Sequence, residues 1–153
     1  APVFGYAKPV PYNPRYFKNI KVGEVLTGLA GPASNLIMAL LGALVAFIVL
    51  NFTPLSGDAW GWTRAALYYF VLINLCLMFF NLLPIPPLDG SSVIVPFLPQ
   101  SALPTWYKIQ HYAMPALILL VIVVPMLLPG SFNPIGIYIQ ATAGNLARLL
   151  FGF

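Results

Sequence analysis

The sequence predicts an all-α membrane protein, a polytopic bundle of three or four transmembrane helices preceded by an extended or β-hairpin-like segment at the membrane interface. Three observations carry this. Hydrophobic types make up 60% of the 153 residues and charged types only 7%, whereas a soluble domain carries about 25% charge. The apolar residues fall in runs of membrane-crossing length. Most of the prolines and all three tryptophans lie outside the runs. The same composition excludes disorder, which requires few hydrophobes and much charge. The net charge of +4 comes from seven basic and three acidic residues. That is too sparse for a nucleic-acid surface, so the expected surroundings are a lipid bilayer and no nucleic acid.

Residues 1–24 contain Pro2, Pro9, Pro11 and Pro14, which oppose a regular helix. Phe4, Tyr6, Tyr12, Tyr16 and Phe17 suit the interface, so the segment is expected to lie extended against the bilayer. Residues 25–153 form the helical bundle. The first span, 25–50, has 26 uncharged residues, and as a helix it would reach about 39 Å against a hydrocarbon core of about 30 Å. Gly28, Gly31, Ala39, Gly42, Ala43 and Ala46 allow close helix approach. Pro32 marks a possible helix start. Residues 51–63 read as a loop, from Pro54, Gly57, Asp58 and Gly61, with Trp60 and Trp62 at the interface. The second span, 65–83, contains Asn74 and Asn81 and ends at Pro84, Pro86 and Pro87. Residues 88–112 are mixed. A third span covers 113–128, and 135–153 forms either a fourth span or an interfacial amphipathic helix.

Lys8, Arg15, Lys18 and Lys21 precede the first span, and Lys108 follows the second. This bias places the N-terminal segment and residues 88–112 on the cytoplasmic side. Cys76 has no partner for an internal disulfide. Residues 1–24 lack a signal-peptide core, and the chain opens with Ala; the expectation is part of a longer polypeptide.

The stretch that carries chemistry is Asn81-Leu82-Leu83-Pro84-Ile85-Pro86-Pro87-Leu88-Asp89-Gly90. As a dipeptide, Asp-Gly is ordinary turn chemistry. Here it follows an apolar span, where a carboxylate is costly and needs a partner. Three prolines in four residues also interrupt the helix, and irregular backbone at membrane depth survives only against protein or water. Asp89 is therefore expected to face a hydrated pocket near the cytoplasmic surface.

This stretch resembles the N-x-x-P-x-P-x-L-D-G signature of the site-2 protease family, membrane-embedded zinc metallopeptidases. Gly31-Pro32-Ala33-Ser34-Asn35 is similar to the family's G-P-x-x-N element. Phe4 to Asn13 is similar to the segment that follows the family's first catalytic helix in the short bacterial and archaeal members. The resemblance implies an intramembrane zinc metalloendopeptidase of the cell membrane, multi-pass, with its active site near the cytoplasmic face and membrane-spanning proteins as substrates. It implies that Asp89 is the third metal ligand and that Asn81 is catalytic, holding the substrate or polarising its carbonyl. Pro84 and Pro86 would offer unwound backbone to a substrate strand, and Asn35 would line the cavity. The family's H-E-x-x-H helix, which supplies two histidine ligands and a glutamate base, has no counterpart here. His111 is the sole histidine, so zinc would require histidines from outside this chain, from a helix upstream of residue 1, and the chain alone is expected to be inactive. Glu24 is expected to pair with Lys18 or Lys21, and Asn74 to bond between helices. Two other functions fit the same residues: an inactive homologue that binds membrane helices as a scaffold or chaperone, and a small transporter built on broken helices and one intramembrane acid.

Overall fold

In the computed structural model, residues 20–54, 56–123, 126 and 133–152 are described; the expected extended segment over 1–19 lies outside them. Helix α1 runs Ile20–Phe52, 33 residues with Pro32 inside, about 50 Å of helix. This corrects two expectations. Residues 20–24 belong to the helix and not to an extended segment, and Pro32 does not begin it. Inside an apolar run, the backbone gains most by bonding to itself, so a transmembrane helix tolerates a proline that would end a soluble one. Side chains support the turns around it: the Ser34 hydroxyl donates to the Gly31 carbonyl at 2.7 Å, and that of Thr27 to Gly23 at 2.8 Å.

Helix α2 spans Gly57–Asn81, so the loop expected over 51–63 is confined to a few residues around Pro54, and the span expected at 65–83 begins eight residues sooner. Gly57, with φ of +59°, is the first residue of the helix rather than an interior breaker. Asp58 sits in the first turn, where a carboxylate suits the helix dipole. Trp60 and Arg64, one turn apart, stack with the guanidinium carbon 5.1 Å from the ring centre. These features favour helix over residues that look like punctuation in isolation.

After α2 the chain turns through residues 82–88 and enters a 3₁₀ helix, Asp89–Phe97, then a short 3₁₀ turn, Gln100–Ala102. Helix α3 covers Leu103–Ile118 and continues as a π turn, Leu119–Val123. The third span expected at 113–128 thus falls on the end of α3, with 124–125 and 127–128 outside the described residues. Helices α4, Pro134–Ile139, and α5, Asn145–Phe151, are joined by a π turn over Gln140–Gly144, so the expected fourth segment is helical. No strand occurs among the described residues. Two described helices, α1 and α2, are long and apolar enough to cross a membrane.

Four elements share the core: Ala39 of α1, Val71, Leu75 and Met78 of α2, Ala143 of the π turn and Ala147 of α5. The small residues do what the sequence implies. Gly42 is buried, and a Cβ there would meet the Phe70 ring at 2.6 Å. Tyr68 packs edge-on against Phe151 at 5.3 Å, and the Tyr138 hydroxyl donates to the Phe79 carbonyl at 3.3 Å. Leu36, Ile37, Leu40, Leu41, Leu44 and Ile48 remain exposed on α1. In lipid such a surface is solvated and needs no covering.

Gly42→Leu is expected to lower stability by about 1–3 kcal/mol through overpacking. Leu44→Ala, at a position 54% exposed, should change it by no more than about 0.5 kcal/mol. Equilibrium unfolding in detergent micelles measures both.

Candidate functional site

The site is built where the 3₁₀ helix lies along the first turns of α1. A 3₁₀ helix places every third residue on one edge, each step rising about 6 Å, while an α-helix repeats a face every three to four residues, rising about 5 Å. Two such rows match in step. Asp89, Ser92 and Val95 form one row, and Lys21, Glu24, Gly28 and Gly31 form the other. They run antiparallel. The Asp89 carboxylate rests on Gly31, where a Cβ would lie 2.6 Å from Oδ2. Ser92 and the Asp89 carbonyl rest on Gly28, with a Cβ 2.2 Å from Ser92 Oγ and 2.9 Å from that carbonyl oxygen. Lys21 Nζ donates to the carbonyls of Leu98 at 2.8 Å and Pro96 at 3.3 Å. A nine-residue 3₁₀ helix is long for its type; its seat on α1 supplies the support.

The turn before it is equally tight. A Cβ at Gly90 would lie 2.4 Å from the Leu82 carbonyl oxygen and 2.7 Å from that of Leu83. The chain therefore doubles back on itself, bringing the end of α2, where Asn81 sits half-buried, beside Asp89. Pro84 is exposed and Pro86 half-buried within this turn. Asn35 is half-buried on α1, one turn beyond Gly31. The two sequence elements singled out by their motifs, Gly31–Asn35 and Asn81–Gly90, thus meet at the Asp89 carboxyl.

Asp89 itself is half-buried. Burial pushes its pKa above the ordinary carboxylate range. Among the described residues no basic side chain forms an ion pair with it. Nearby, Glu24, Thr27, Ser92, Val95, Tyr107 and Gln110 line a cavity of about 130 Å³. The Tyr107 hydroxyl donates to Glu24 Oε1 at 2.5 Å, so among the described residues this acid is engaged by α3 and not by Lys21, whose Nζ donates to backbone carbonyls of the 3₁₀ segment; Lys18 lies outside the described residues. Gln110 Nε2 donates to Ser91 Oγ at 3.2 Å, and Ser91 is 1% exposed. Ser92 Oγ is buried with no hydrogen-bond partner among the described residues. Tyr107, Gln110, Ser91 and Ser92 escaped the sequence reading. The three-residue spacing of 89, 92 and 95 signals Ser92 alone; Tyr107, Gln110 and Ser91 lie outside that row. Asn74 Nδ2 bonds the Phe70 carbonyl of its own helix at 2.8 Å, which corrects the expected interhelical bond: a carbonyl one turn back is always within reach. His111 is exposed and edge-on to Tyr112 at 5.3 Å.

The sequence profile of peptidase family M50 matches residues 53–124, a range that takes in α2, the 3₁₀ helix and α3. A Bacillus subtilis protein named as a candidate zinc metalloprotease, YwhC, is 40% identical over 98 residues, covering 63% of this chain and 44% of that protein. A Mycobacterium tuberculosis protein named as a candidate zinc metalloprotease, Rip2, is 37% identical over 75 residues, 49% of this chain and 27% of that protein. No solved structure matches the chain. The match to the M50 model over residues 53–124 and the two relatives named as candidate zinc metalloproteases support a member of peptidase family M50, the site-2 protease family. The chain spans less than half the length of the curated relatives it matches.

The family implies zinc. Asp89 suits it as a single ligand: an oxygen donor, partly desolvated, with no ion-pair partner among the described residues. Those residues hold no group of three His, Cys, Asp or Glu able to bind a metal ion. A complete tetrahedral set therefore needs donors besides these.

Two measurements check the geometry. Gly31→Ala should force the carboxyl aside and cost about 1–2 kcal/mol, and most of that cost should vanish in an Asp89→Ala background, a coupling that a double-mutant cycle reads directly. The second concerns pH. A carboxyl whose folded pKa is raised contributes its full stability below the unfolded value and loses it as pH rises through the folded one. Metal-free protein should thus lose stability from the ordinary carboxylate range upward, and Asp89→Asn should flatten that slope in thermal unfolding across a pH series.

Proposed function

We propose that this chain is part of an intramembrane zinc metalloendopeptidase that hydrolyses peptide bonds in membrane-spanning proteins. Asp89 supplies one carboxylate to the metal, and histidines from outside this chain supply the others. The observation that supports this most directly is the contact between Asp89 and Gly31, which joins the two family motifs at one carboxyl. In this reading the protein is a multi-pass protein of the cell membrane, with three or four crossings and its site near the cytoplasmic face. The lysines at the foot of α1 and on α3 are consistent with that orientation.

Zinc with three protein ligands acidifies a bound water and polarises a carbonyl. The chain's own residues do the rest. Asp89 carries the negative charge that favours a cation, and its partial burial makes that charge costly unless a cation is present. Asn81, at the end of α2, offers an amide donor to a substrate carbonyl, holding the scissile bond in one orientation. The turn over residues 84–87 has lost three amide donors to proline, yet keeps its carbonyls, which accept hydrogen bonds from a substrate segment unwound into a strand. Asn35, one turn along α1 from Gly31, lines the path into the membrane. A substrate helix must unfold before its backbone can be cut, and a carbonyl-rich edge stabilises the unfolded form.

The test uses the complete gene product with its native upstream sequence. Asp89→Ala is expected to abolish cleavage of a single-span membrane substrate and to remove near-stoichiometric zinc, while expression and membrane insertion persist. Asn81→Ala should keep zinc and lower kcat/KM by roughly 100-fold, the scale of one lost transition-state donor. Cleavage unchanged in Asp89→Ala would remove the metal role. A gene product without an upstream H-E-x-x-H would favour a scaffold that binds membrane helices.

A further inference from the structure

The 3₁₀ helix that carries Asp89 is gripped from two sides. On one side Asp89 and Ser92 lie on Gly31 and Gly28 of α1. Glycines cannot fix rotation by themselves, because they present a smooth surface on which a narrow helix can roll. Three residues make one 3₁₀ turn, so residue 91 stands two-thirds of a turn around from residue 89. That is where Ser91 sits, 1% exposed, accepting a hydrogen bond from Gln110 of α3 at 3.2 Å. Gln110 is in turn placed by Tyr107, one turn earlier on α3, whose hydroxyl donates to Glu24 of α1 at 2.5 Å. At the end of the 3₁₀ helix, Lys21 holds the carbonyls of Pro96 and Leu98.

We infer that Gln110 and Ser91 are positioning residues for Asp89: their hydrogen bond fixes the rotation of the 3₁₀ helix and so aims the carboxylate at the metal. The inference rests on Asp89 being a metal ligand and deepens that reading. The chemistry is that of outer support at a metal site. A carboxylate whose carrier can turn pays the cost of being oriented each time the metal binds, and loss of such a support typically weakens affinity by roughly 10- to 100-fold. Gln110 suits the task because its amide reaches across from α3 without placing a second charge beside the ligand. The link Tyr107–Glu24 sets where α3 lies, and Gln110–Ser91 converts that position into the angle of Asp89.

Zinc affinity of the complete gene product in detergent, titrated against a competing chelator, tests this. Gln110→Leu keeps the side chain's bulk and removes the donor; Ser91→Ala removes only the acceptor. Each is expected to weaken zinc binding roughly 10- to 100-fold, and the double variant no more than the stronger single one, because both break one bond. Thermal unfolding of the metal-free protein should be nearly the same in all of them. A fall in metal-free stability that accounts for the lost zinc would mean a merely structural role and overturn the inference. So would additive losses, or affinity within twofold of the parent in Ser91→Ala. Asp89→Ala run alongside separates the two levels. If it abolishes zinc binding while Gln110→Leu and Ser91→Ala do not weaken it, the ligand reading stands and the positioning role falls. If Asp89→Ala leaves zinc unchanged, both fall.

Discussion

The seat of the 3₁₀ helix on α1 is the constraint from which the rest of the site follows. Asp89 meets α1 at Gly31, and any side chain there would occupy the space of its carboxyl. Gly28 does the same for Ser92. The two glycines let a polar segment approach an apolar helix closely enough for a carboxyl to be partly withdrawn from solvent without an ion-pair partner among the described residues. That is an unfavourable state for an isolated acid. Under the proposed function, a bound cation would relieve that cost.

Helix α1 serves two purposes along its length. Its first turns, at Lys21, Glu24, Gly28 and Gly31, hold the 3₁₀ helix and α3. Its later turns, at Ala39, Gly42 and Ala46, pack on α2 and on α5. Both halves use small residues, for different reasons. In the second half close approach maximises dispersion contacts between apolar helices. In the first half it makes room for polar atoms. A single rigid rod thereby fixes the relation between the apolar bundle and the chemistry at its end.

The helix assignments that the sequence misread share a cause. Pro32 and the Gly57–Gly61 stretch are breakers in water, where unpaired backbone can be solvated. In an apolar environment that alternative disappears, so helix persists through Pro32 and begins at Gly57. Conversely, the proline run at 84–87 does end α2, because three missing amides so close together leave too little to bond. Number and spacing decide the outcome, and residue type alone does not.

Composition and the lengths of the apolar runs were sufficient, from the sequence alone, for a helical protein, two of whose described helices are long and apolar enough to cross a bilayer, since a bilayer imposes its thickness and its intolerance of charge on any helix that crosses it. The Asn81–Gly90 signature and the Gly31–Asn35 element were also legible, because both depend on local spacing. The sequence could not bring them together. That Asp89 rests on Gly31, 58 positions away in the chain, that a 3₁₀ helix pairs its three-residue row with a face of α1, and that Gln110 reaches Ser91 are matters of packing between segments. They depend on how two helical repeats come into step in space, which no stretch of either segment encodes by itself.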